Sequence, residues 1–105
     1  PDEPLVADSL AAGADVVWAT STPVHPRRPI QKDTWWWTNE EIDAYNRAAL
    51  EVMRAASVPV NDLHALVRAD PDALLAEDML HLSETGVSRC ADAVVEAVRE
   101  RLARR

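Results

Sequence analysis

Residues 16–20 read Val16-Val17-Trp18-Ala19-Thr20, an uninterrupted run rich in β-branched and aromatic side chains. A strand with one wet face alternates apolar and polar residues, and this run does not. It predicts a short strand buried on both faces, as in a parallel sheet covered by helices. Upstream, residues 4–12 predict a helix: Pro4 suits the first turn, and Leu5, Val6 and Leu10 give an apolar side. Gly13 suits a left-handed stop. Downstream, Thr22-Pro23 closes the strand, and residues 24–37 form a long loop with Pro26 and Pro29 that ends in Trp35-Trp36-Trp37. Loops of that length in compact domains usually carry function.

Beyond the loop, Thr38 and Glu41 have capping-box spacing, and Ile42, Tyr45, Ala49, Val52, Met53 and Ala56 share one helical face. Val58-Pro59-Val60 predicts a second short strand, whose proline points to an edge or a strand's first residues. Asp62 to Val67 predicts a short turn of helix, and Asp70-Pro71 a cap and first turn of another. The last helix is predicted from Thr85 to Ala103, with Val87, Ala91, Val94, Val98 and Leu102 along one stripe. Helices alternating with strands indicate an α/β layered fold with parallel strands. Two strands do not make a stable sheet, so the chain is expected to be part of a larger domain.

Composition narrows the classes. With 48% hydrophobic and 28% charged residues, the 105-residue chain is globular in character and supports one domain at most. Its 18 acidic and 11 basic residues give a net charge of −7, which disfavours nucleic acid as a partner. The arginines from Arg99 to Arg105 suit a solvated helix end. Cys90 is the single cysteine, so no disulfide can form within the chain. No apolar run approaches the roughly 20 residues that span a bilayer. The chain starts at Pro1 rather than a methionine, and its compartment is left open.

The strongest chemical constellation is Asp78-Met79-Leu80-His81, followed by Leu82-Ser83-Glu84-Thr85-Gly86 and the last helix. In acyl transfer a histidine takes the proton of the attacking hydroxyl and passes it to the leaving group. A carboxylate fixes its tautomer and stabilises the imidazolium. Asp and His three residues apart let one tight segment deliver both groups. The pair alone is a weak signal, since many chains carry one at a helix start.

The order of segments adds to it. Val16 to Val24, Tyr45 to Ala49, Val58 to Leu63 and Asp78 to Gly86 together resemble the second half of SGNH/GDSL-type hydrolases, and the likeness covers nearly the whole chain. The D-x-x-H-x-[ST]-x-x-G block, residues 78–86, is its most specific piece. The resemblance implies a three-layer, flavodoxin-like α/β fold with a parallel sheet, of which residues 1–105 supply the C-terminal strands and helices. It also implies ester hydrolysis, with His81 as general base and Asp78 orienting it. A small acyl or O-acetyl ester, on a small molecule or a carbohydrate, is the expected substrate. The mechanism would be two-step and acyl-enzyme, with no cofactor. The family's G-D-S nucleophile block and G-x-N-D oxyanion block do not occur here. The N-terminal half of the same domain is therefore the expected partner. A non-catalytic α/β binding module with the same architecture is the competing reading.

Several other residues invite a role. Ala7-Asp8-Ser9-Leu10 echoes the G-D-S-L motif, but Ser9 falls inside a predicted helix rather than in a strand-to-helix turn. His25 follows the first strand at its C-terminal end, where open parallel sheets bind ligands, and is a candidate substrate contact or a plain loop histidine. Trp35, Trp36 and Trp37 either stack on a sugar ring or acyl group, or pack beneath the loop as a local core. His64 has Asn61, not an acid, three positions before it and is read as structural. His25, His64 and His81 match no compact metal-ligand spacing, so no metal is expected. Thr20, Ser21 and Thr22 suit backbone groups at the strand end.

Overall fold

Pro59 has no N–H to give to a neighbouring strand, but its carbonyl accepts from Trp18 N–H at 3.0 Å. That bond and Thr20 N–H to the Asn61 carbonyl, at 3.1 Å, set the sheet. In the computed structural model, which describes residues 3–30 and 37–104, β1 is Trp18–Ala19 and β2 is Val60–Asn61. They pair in parallel, Trp18 beside Val60 and Ala19 beside Asn61, as the alternation of elements predicts. Both strands are shorter than expected, and the second lies further along the chain than Val58–Val60. Val58 instead donates to the Met53 carbonyl at 2.9 Å and closes the preceding helix, with Ser57 left-handed at φ 56°.

The helices begin and stop where local chemistry dictates. Helix α1 covers Glu3–Ala11 and stops at Gly13, which takes the left-handed φ of 82°. Helix α2 covers Asn39–Ala55, and its capping box is formed on both sides: Thr38 Oγ1 accepts from Glu41 N–H, and Glu41 accepts from Thr38 N–H. Its buried residues are Ile42, Asn46, Ala49 and Met53. Helices α3 (Leu63–Ala69) and α4 (Pro71–Leu74) are short, capped by Asp62 and Asp70. Helix α5 covers Glu84–Ala103 and is capped by Ser83, whose hydroxyl accepts from Gly86 N–H.

Two small apolar clusters carry the packing. Val6, Met53 and Val58 gather with Val16, Trp18 and Ala56. Val67, Leu74, Leu75 and Cys90 gather with Leu63, Leu66 and Leu82. Burial raises the Cys90 thiol above its ordinary pKa, so it behaves as a small apolar side chain.

Two expectations are corrected here. The first strand is not buried on both faces: Trp18 is half-buried and Ala19 exposed. The stripe of Val87, Ala91, Val94, Val98 and Leu102 does not face the described core either. All five are exposed, while Gly86 and Cys90 are the buried residues of α5. The helix is rolled this way because Gly86 lies against the Leu74 backbone, where a Cβ would collide with the carbonyl oxygen.

Candidate active site

Asp78 and His81 sit on the connection between α4 and α5, and local backbone bonds close this connection into a tight turn. Leu75 and Leu82 form an antiparallel bridge. Ala76 N–H donates to the His81 carbonyl at 2.7 Å, and Met79 N–H to the Ala76 carbonyl at 3.0 Å. Met79 is left-handed at φ 64°, an uncommon conformation for a residue with a side chain. Below the turn, Ser83 N–H donates to the Leu74 carbonyl at 2.9 Å, and Ser83 Oγ to the Ala73 carbonyl at 2.7 Å. The spacing of residues 78–86 thus has a separate physical reason at each fixed position. Asp78 meets His81, Ser83 caps α5, and Gly86 permits close contact with Leu74.

Asp78 is fully engaged. Oδ2 lies 2.6 Å from His81 Nδ1, while Oδ1 accepts from Leu80 N–H at 3.0 Å and His81 N–H at 2.9 Å. The His81 ring bond, then the two backbone bonds, hold the carboxyl down at about 2. An ionised Asp78 facing Nδ1 favours the tautomer with the proton there, which leaves Nε2 as the basic nitrogen.

Each of the three histidines has an aspartate beside it, and burial separates their roles. The His25 ring, with a side chain 1% exposed, bonds Asp72 Oδ1 through Nε2 at 2.7 Å. Its Nδ1 accepts from Arg27 N–H at 3.1 Å and Arg28 N–H at 3.0 Å. The His64 side chain is 10% exposed, and its Nε2 comes within 3.0 Å of Asp43 Oδ1. That approach lacks hydrogen-bond geometry, so this buried nitrogen has no hydrogen-bond partner among the described residues. The His81 side chain is 65% exposed. A group that must exchange protons with a substrate needs such access.

A groove of about 600 Å³ runs beside the pair, lined by Arg28, Pro29, Glu77, Asp78 and Met79. His25 is not part of its lining; it lies beneath the loop, joined to the turn by its N–H bond to the Met79 carbonyl at 3.0 Å. Trp37 is exposed, and Trp35 and Trp36 lie outside the described residues. Ser9 is helical, its hydroxyl donating to the Leu5 carbonyl at 2.8 Å. Among the described residues, no three His, Cys, Asp or Glu side chains converge as metal ligands, and no helix is long and apolar enough to cross a membrane.

Two contributors escaped sequence reading. Asn46 takes Ser21 N–H on Oδ1 at 2.9 Å and gives Nδ2–H to the Ser21 carbonyl at 3.0 Å. Asn39 does the same to Val24, both bonds at 2.9 Å. These amides imitate a strand edge and fix the chain that leads into His25. The only local signal was a polar residue, Asn46, on the buried face of α2.

The helices and the small parallel sheet define a mixed α/β fold, with the Asp78–His81 turn leading into its last helix. The chain is similar to a solved structure, the esterase domain of the ZfL2-1 ORF1 protein from the zebrafish ZfL2-1 retrotransposon. The TM-score is 0.71 at 15% identity, over 92% of this chain and 54% of the other. That likeness is one of fold, and this chain spans about half the length of that domain. No protein-family model and no curated protein matches the sequence.

Proposed function

We propose that this chain is the C-terminal portion of an SGNH-type ester hydrolase in which His81 is the general base and Asp78 its orienting carboxylate. The observation that carries the reading is the Asp78–His81 pair: a fully hydrogen-bonded carboxylate on Nδ1 of an exposed imidazole. A serine from outside residues 1–105 would attack the ester carbonyl and give its proton to His81 Nε2. The tetrahedral adduct would collapse, with His81 returning that proton to the departing alcohol. Water, deprotonated by the same nitrogen, would then cleave the acyl-enzyme and release the acid. No cofactor enters this scheme.

The N-terminal half of the domain would complete a three-layer, flavodoxin-like sheet and cover the exposed stripe of α5. A small acyl or O-acetyl ester suits the groove beside Asp78, with Trp35, Trp36 and Trp37 as candidate contacts to a carbohydrate or acyl group. The exposed indole of Trp37 and the likeness to an esterase domain support this reading.

The test is covalent labelling of the complete protein with a fluorophosphonate, followed by peptide mapping. One serine outside residues 1–105 is expected to label, with labelling lost in His81→Ala. Labelling at Ser9 that depends on His81 would overturn the assignment of the nucleophile. A complete, folded protein that neither labels nor hydrolyses esters would favour the binding-module reading.

A further inference from the structure

We propose that His25 is a positioning residue that sets the width of the groove beside the Asp78–His81 pair. The inference rests on the hydrolase reading for its kinetic consequence but on hydrogen bonds for its substance.

One wall of the groove is Arg28-Pro29, and the other is Glu77-Asp78-Met79. His25 holds both. Its ring accepts the N–H groups of Arg27 and Arg28 on a single nitrogen, folding the first wall over the imidazole. Its own N–H donates to the carbonyl of Met79 in the second wall. Because Nδ1 accepts two N–H bonds it carries no proton, so the ring proton sits on Nε2 and is donated to Asp72. Asp72 belongs to α4, the helix whose Ala73 and Leu74 carbonyls seat Ser83. The first wall is therefore pinned, through the imidazole, to the element from which the Asp78–His81 turn departs. Val24, the residue before His25, is held at both N–H and carbonyl by Asn39, so the brace starts from a fixed point.

The two attachments are separable. The backbone bond to Met79 persists whatever side chain occupies position 25, so the turn keeps its anchor. The ring bonds reach only the first wall and α4. Loss of the ring is thus expected to loosen substrate binding, because the first wall is no longer held in place, and to spare the proton-transfer geometry, which the bonds of the turn maintain.

Three variants of the complete protein separate the ring's functions. Asparagine places Oδ1 where Nδ1 stands and keeps the acceptor for Arg27 and Arg28. Glutamine can reach toward Asp72 but gives up that acceptor, and alanine keeps neither. His25→Ala and His25→Gln are expected to raise KM about 10-fold with kcat changed less than about 3-fold; His25→Asn should return KM to within about 3-fold of the parent. Amide hydrogen exchange at Arg27 and Arg28 reports the same brace without turnover. Protection should survive in His25→Asn and be lost in His25→Gln and His25→Ala. Rescue by Gln rather than Asn, a fall in kcat at unchanged KM, or unaltered exchange in all three variants would each overturn the proposal. If the complete protein hydrolyses nothing, the hydrolase reading fails, while the exchange pattern still decides whether His25 braces the wall.

Discussion

His81→Ala is expected to abolish nearly all ester hydrolysis by the complete protein while leaving its thermal melt within a few degrees of the parent. The side chain is largely exposed and its ring bonds Asp78, so little packing is lost. On the proposed mechanism the reaction loses its proton acceptor. In serine hydrolases that run on a triad, removal of the histidine costs about 10⁶ in kcat. Asp78→Asn is expected to cost about 10⁴, because an amide favours the wrong imidazole tautomer. His64→Ala is the control, since His64 is buried away from the turn, and its effect should appear in stability rather than kcat.

The pH dependence of this pair has a definite sign. The Asp78 carboxyl is depressed from 3.8 to about 2, so its stabilising bonds are fully present above about pH 4. They are lost as the pH falls through about 2. Asp78 should therefore add no limb to a profile of kcat/KM recorded above pH 3, and any acid limb there must belong to another group. A full titration limb near pH 4 that disappears in Asp78→Asn would contradict the geometry.

Gly86→Ala is the second large effect, and here two tendencies oppose each other. Alanine in a helix is intrinsically better than glycine by about 1 kcal/mol. Against that, the added Cβ would collide with the Leu74 carbonyl, an oxygen already accepting from Ser83 N–H at 2.9 Å. Because the opposing atom is backbone and hydrogen-bonded, it cannot swing aside as a side-chain tip would. Overpacking of this sort costs about 3 kcal/mol at the upper end of its usual range, so the clash wins by about 2 kcal/mol. For a domain about twice the length of this chain, as proposed above, that corresponds to a fall in Tm of about 6 °C. Differential scanning calorimetry checks it; an unchanged or raised Tm would mean that α5 can move off Leu74 at no cost.

Much of the local structure was legible because it depends on neighbours in sequence. The Thr38–Glu41 capping box, the left-handed stop at Gly13 and the Asp70-Pro71 helix start were all written in residues a few positions apart. The meeting of Asp78 and His81 belongs to the same class, since three residues separate them. The rest was hidden by distance. His25 finds its aspartate 47 residues away, on a helix of four residues that no periodicity announces. Asn46 falls where a helical-face reading expects an apolar residue, and its partner Ser21 is 25 residues upstream. The α5 stripe misled for a related reason. Periodicity locates an apolar face but does not say what it packs against, and the Gly86–Leu74 contact turns a different face to the described core.

The Asp78–His81 turn also has a consequence for the order in which the chain assembles. Among the bonds made within residues 73–86, the longest in sequence, Ser83 Oγ to the Ala73 carbonyl, bridges 10 residues, whereas Thr20 Oγ1 to Asp62, beside the strand pair, bridges 42. Closing the longer loop costs about 1 kcal/mol more in chain entropy. The turn and the first residues of α5 are thus expected to be in place in the folding transition state, with the docking of β1 on β2 following it. Ser83→Ala would then slow folding, and Val16→Ala would mainly hasten unfolding; the reverse partition in a chevron analysis of the complete protein would place the sheet first. With the turn formed first, the segment that carries the proposed chemistry is the nucleus on which the remainder condenses, and mutations that distort the turn would carry a second penalty, in the yield of folded chain.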